Sequence, residues 1–168
     1  MVVAMAETLS VSEMLAYDQW ATRQLLPAVL AITDEQFVHE FAGELSSVRQ
    51  QFVHLLSVSD RYRARIMREP VPDVDFKSYE TRASLPPYAA EIEERLLTMI
   101  ASLTPERLKE ETRLETRRGV FVMTVEQTIL QIVNHGTYHR GQVAFMLKQH
   151  GVEPIDSDIV IWWNRDRD

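Results

Sequence analysis

The sequence contains no cysteine, which excludes disulfides, thiolate metal ligands and a cysteine nucleophile. Any metal held by this chain must use nitrogen and oxygen donors. Glycine and proline are sparse, at 5 and 7 of 168 residues, so the chain is neither collagen-like nor linker-like. No apolar run approaches the roughly 20 residues that span a bilayer. Residues Met1 to Thr8 have neither a basic start nor an apolar stretch long enough for a signal peptide, and a cytoplasmic protein is expected.

Basic charge is also in short supply. Lys and Arg number 18 against 25 Asp and Glu, for a net charge of −7, a sign that repels phosphate backbones. The densest basic stretch, Arg61, Arg63, Arg65 and Arg68, is flanked by Asp60 and Glu69, and Arg113, Arg117 and Arg118 lie among Glu110, Glu111 and Glu115. Both stretches read as solvated faces. Neither nucleic acid nor membrane is an expected partner.

What is present is helical periodicity over the length of a single domain, residues 1–168. Ser10 and Glu13 are spaced as a capping box for a first helix to about Leu30, with Leu15, Trp20, Leu25, Leu26 and Val29 as its apolar stripe and Pro27 as a kink or early end. Thr33 to Gln36 reads as a second cap and a short turn. A long helix follows from about Ser46 to Glu69, ended by Pro70 and Pro72. Residues 70–84 show no period and form a long connector, a candidate wall for a site. Ser84 caps the next helix, Pro86 to Leu103, whose two prolines suit a first turn, and Thr104-Pro105-Glu106 signals a further short one. Residues 112–124 have a hairpin-like pattern around Arg117-Arg118-Gly119. Thr124 with Gln127 then opens a last long helix, stopped by Gly151. The expected architecture is all-α: a four-helix bundle with a crossover connection and a small hairpin before the last helix.

Two histidines, His135 and His139, stand four residues apart in the last helix and so project from one face, one turn apart. The spacing suits a shared metal ion and equally suits two unrelated polar histidines. His54 sits mid-helix between Val53 and Leu55, where a lone histidine is more often a hydrogen-bonded core residue. Three histidines on two helices are, however, the usual protein complement of an open zinc site. Gly136 and Gly141 each cost about 1 kcal/mol against alanine in a helix interior. Close packing accounts for Gly141; Gly136 either packs closely or leaves room for a ligand beside a metal. Gly136 also occupies the position where HExxH metalloproteases carry glutamate, which disfavours that mechanism. His150 lies about 16 Å further along the helix axis, too far to share the ion, and suits a helix-end dipole contact. His39 falls in a charged connector and reads as solvated.

Several segments together resemble the DinB/YfiT-like family of bacterial metal-binding four-helix bundles. They are Tyr17-Asp18-Gln19-Trp20-Ala21, His54-Leu55-Leu56 with Asp60, Asn134-His135-Gly136-Thr137-Tyr138-His139-Arg140-Gly141-Gln142, and Gly151-Val152-Glu153-Pro154. The family pattern commonly has Asn where this chain has Thr22. The resemblance implies that His54, His135 and His139 bind one divalent ion, zinc or nickel, in a homodimeric protein linked by family name to a stress response. It also implies an enzyme of thiol S-transferase or hydrolase type acting on a small-molecule substrate with a low-molecular-weight thiol; a non-catalytic metal-binding module is the alternative. Gln50 and Gln142, each about one turn from a histidine, are candidates to orient a ligand, and Tyr17 and Trp20 to wall the cleft. Asp60 is the nearest candidate for a fourth ligand, although it sits roughly 120° around its helix from His54.

Overall fold

The computed structural model describes residues 10–43, 46–116 and 119–165. The segment considered for a leader, Met1 to Thr8, and Arg117 and Arg118, at the centre of the expected hairpin, lie outside them. Among the described residues, six α-helices and one hairpin follow in order: α1 (Val11–Ala31), α2 (Asp34–Val38), α3 (Val48–Met67), α4 (Leu85–Ser102), β1 (Glu111–Thr116), β2 (Gly119–Thr124), α5 (Val125–Gln149) and α6 (Ile159–Asn164). The four long helices form the bundle. Among the described residues no helix is long and apolar enough to cross a membrane.

Local capping chemistry sets most of the starts. Ser10 with Glu13, Thr33 with Gln36, and Thr124 with Gln127 each close a reciprocal capping box, satisfying backbone donors that the first turn leaves unpaired. Ser84 differs from expectation: its backbone is helical and its hydroxyl donates to the Thr81 carbonyl at 2.6 Å, so it gives α4 no side-chain cap. Pro27 does not end α1, which continues to Ala31. Arg68, in a left-handed conformation (φ 58°), closes α3. Gly151 (φ 78°) ends α5 with its N–H on the Lys148 carbonyl and that of Val152 on the Leu147 carbonyl, the Schellman arrangement that favours glycine.

Side-chain pairings give the helix directions. Arg95 pairs with Asp60, and Ser102 meets Met67. Positions therefore rise together, and α3 and α4 run parallel. The stretch from Arg68 to Ser84 must then return along the bundle, which explains its length. The expected crossover is this segment, and it carries two short 3-10 turns. The core between the helices is filled by Leu15, Val29, Phe52, Leu55, Ile92, Leu96, Ile129 and Val143, all at most 2 % exposed.

One polar device crosses this core. Asp18 of α1 and Arg140 of α5 form a buried ion pair. Gln19 Nε2 donates to Asp18 Oδ2 at 3.2 Å, and Arg140 Nη2 donates to Thr137 Oγ1 at 3.1 Å. Thr22, the departure from the family pattern, takes part: its hydroxyl donates to the Asp18 carbonyl at 2.9 Å and accepts from Arg140 Nη1 at 3.3 Å. Gly136 is the glycine this arrangement requires. A Cβ there would overlap Asp18 Oδ1 and stand 3.1 Å from its Cγ. Gly136 thus makes room for the ion pair and not for a metal ligand. Gly141 is the reverse of its expected role: it is exposed, and a Cβ there would meet nothing within 4 Å.

Asp18→Ala strands a buried guanidinium and should cost about 3–5 kcal/mol. Gly136→Ala should cost about 1–3 kcal/mol by overpacking. Urea unfolding measures both, and a loss below about 0.5 kcal/mol in either would contradict the packing described.

Candidate metal centre

The packing of α3 against α5 brings His54 across from His135 and His139. Ring centroids lie 5.1 Å apart for His54–His135, 4.7 Å for His54–His139 and 4.2 Å for His135–His139. One ligand atom from each ring falls within 4.8 Å of the others. All three are partly buried. Burial and the neighbouring rings push the imidazoles toward the neutral form: His135 down to about 3, His139 to about 4, and His54 below its ordinary value through burial and Arg61. Neutral imidazole is the form that ligates a metal. His135 Nδ1 is buried without a hydrogen-bond partner, the kind of unsatisfied atom that a ligand would relieve. The donor set therefore fits one divalent ion.

A cavity of about 910 Å³ opens on the three rings. Its walls come from Tyr62 and from one face of the hairpin, where Leu114 and Phe121 are cross-strand partners and Met123 stands beside them. Alternation puts these on one side of the two strands. Thr112 ties the hairpin base to α5, its hydroxyl 2.7 Å from that of Thr128. Gln131 adds a polar group to the wall. From the crossover, Phe76 stands edge-on to His54 at 6.3 Å, so the long connector does reach the site.

The remaining expected site residues are placed differently. Gln50 is not among the residues that line the cavity; its neighbour Gln51, buried on α3, lies with Oε1 2.6 Å from His139 Nδ1. Both glutamines lie about one turn from His54, so spacing alone could not separate them. Gln142 is next to His139 and opposes the lowering of its pKa, yet does not line the cavity. Tyr17 and Trp20 are elsewhere: Tyr17 donates to the Ser157 carbonyl at 3.2 Å and packs against Trp20 and Trp162, under the C-terminal segment. Asp60 is held by Arg63 at 2.5 Å and Arg95 at 2.7 Å, apart from the three histidines. His150 packs against His39 and Phe41 at 5.6 and 5.2 Å. Burial lowers its pKa, and His39 is exposed, as expected, with its ring against His150. Tyr62, Gln131 and the hairpin residues were not legible as site residues, because their role depends on where the hairpin folds back.

The folded-state values of His135 and His139 lie below the ordinary imidazole value near 6.5. In the interval the unfolded chain binds more protons, so metal-free protein should lose stability as pH falls from about 6.5 toward about 4. Thermal melts of the metal-free wild type across that window should decline more steeply than those of His135→Ala. Superimposable slopes would refute the desolvated site.

A profile of the DinB family matches residues 5–167. The chain is 21% identical to "Protein DinB" of Bacillus subtilis over 151 residues, covering 84% of this chain and 87% of that protein. Among solved structures it is similar to YfiT from Bacillus subtilis, described as a probable metal-dependent hydrolase with an unusual four-helix bundle topology. There the TM-score is 0.64 at 18% identity, covering 88% of this chain and 93% of that one. It is also similar to a DinB-like protein from Bacillus cereus, with TM-score 0.69, 15% identity and coverage of 87% and 94%. With the profile spanning nearly all of its length, the chain belongs to the DinB family.

Proposed function

We propose that this protein is a divalent-metal-dependent enzyme that drives attack by water or a low-molecular-weight thiol on a small-molecule electrophile. The carrying observation is the convergence of His54, His135 and His139, with ligand atoms within 4.8 Å, on the lining of an open cavity. When bound there, a divalent ion, zinc or nickel as the family resemblance implies, supplies Lewis acidity that brings the pKa of water toward ~7 or favours a thiolate. YfiT, whose fold this chain shares, is described as a probable metal-dependent hydrolase, which supports the general reading.

The chain's own residues divide the remaining work. The three histidines bind the ion. Leu114, Phe121 and Met123 offer an apolar surface to the body of a substrate and exclude water around it. Gln131 is placed to hydrogen-bond a polar substituent. The lining holds no carboxylate among the described residues, so no described lining side chain takes the general-base part that glutamate plays in metalloproteases. This weighs toward a thiol, whose proton is lost far more readily than that of water.

The alternative, a metal-binding module without catalysis, calls for a sphere closed by a fourth protein ligand. Its candidate, Asp60, is engaged by two arginines. The cytoplasmic location expected from the sequence and the homodimer implied by the resemblance belong to this proposal, and sedimentation of the purified protein tests the dimer.

Zinc- or nickel-loaded protein given a small thiol and a panel of electrophiles should turn over at least one of them. His135→Ala should lower that rate by two orders of magnitude or more, and His54→Ala should lower bound metal well below one ion per chain. Stoichiometric metal in His54→Ala would remove His54 from the site, and inactivity across a broad panel of thiols and electrophiles would count against catalysis.

A further inference from the structure

We infer that Gln51 is a positioning residue for the metal centre, holding the His139 ring with its proton on Nδ1 so that Nε2 is the ligand atom. The inference rests on the metal-binding reading above.

Gln51 and His54 are three residues apart on α3, so one helix face carries both a candidate ligand and the group that orients a ligand on the opposite helix. Gln51 Oε1 and His139 Nδ1 are 2.6 Å apart, although the two residues lie 88 positions apart in sequence. A carbonyl oxygen can only accept. The bond therefore places the single proton of neutral imidazole on Nδ1 and leaves the lone pair on Nε2. Ring nitrogens of metal-bound histidines commonly donate to such outer partners, which fix both tautomer and ring angle.

Two features make the contact consequential. Gln51 is only 7 % exposed, so an apolar replacement would leave a partly buried N–H with no acceptor, a costly state in this setting. In addition, His135 Nδ1 has no such partner. Of the two α5 histidines, only His139 has its Nδ1 engaged from α3. An amide is also uncharged, so it orients the ring without offsetting the charge of the bound ion. A glutamate would preserve the acceptor while adding a negative charge, which strengthens ligand basicity.

Long-range ¹H–¹⁵N correlation spectra of the metal-free wild type read the tautomer directly. The expected result is Nδ1–H at His139; Nε2–H would overturn the inference whether or not any variant folds. Zinc affinity is then measured by chelator competition in Gln51→Met and Gln51→Glu, with circular dichroism as the check on folding. Gln51→Met should bind zinc 10- to 100-fold more weakly, and Gln51→Glu at least as tightly as wild type. A folded Gln51→Met within twofold of wild type would overturn the positioning role. Failure of the wild type to bind zinc or nickel would instead overturn the metal reading on which the role depends, leaving the tautomer assignment to stand or fall on the spectra.

Discussion

The buried pair between Asp18 and Arg140 constrains more of this structure than any other single contact. A guanidinium sunk into a helical bundle must find a carboxylate, because an unpaired buried charge costs several kcal/mol. Asp18 on α1 is that partner, and meeting it fixes the rotation of α5 about its own axis. Successive helical residues point about 100° apart. Holding Arg140 toward α1 therefore turns its neighbour His139 toward α3, where Gln51 and His54 stand. Gly136 follows from the same contact, since a side chain there would occupy the space of the Asp18 carboxylate. The motif around His135 and His139 thus combines two jobs on two faces of one helix. One face anchors the bundle, and the other presents imidazoles to the cavity.

The site that results is a desolvated cluster of neutral bases. Burial and mutual proximity both disfavour protonation of the rings, so protons compete poorly with a metal ion near neutral pH. Around them the hairpin and Tyr62 form a largely apolar wall to the open cavity. The absence of a carboxylate in the described lining separates this centre from the glutamate-assisted metalloproteases and shifts the burden of proton loss to the nucleophile itself.

Features governed by short-range chemistry were legible in the sequence. The three capping boxes, the stop at Gly151, the crossover and the hairpin all appear where residue spacing placed them. His135 and His139 were legible as a pair because a helix imposes their separation. The family motifs, not spacing, brought His54 to them. What could not be read depended on the partner across a helix interface. Gln50 and Gln51 flank the same face, and only the docked position of His139 selects Gln51. Gly136 and Gly141 look alike in sequence, yet one faces Asp18 and the other faces open space. Tyr17 and Trp20 belong to an apolar layer under Trp162, because the C-terminal segment folds back over α1.

The central claim is that three imidazoles from α3 and α5 form one metal centre with an open position. X-ray absorption spectroscopy of protein loaded with one equivalent of zinc or nickel tests it most directly. The account predicts a single class of ion whose extended fine structure shows three imidazole nitrogens together with a non-imidazole oxygen donor from solvent. A shell with fewer than three imidazoles, or one completed by a protein carboxylate, would contradict it.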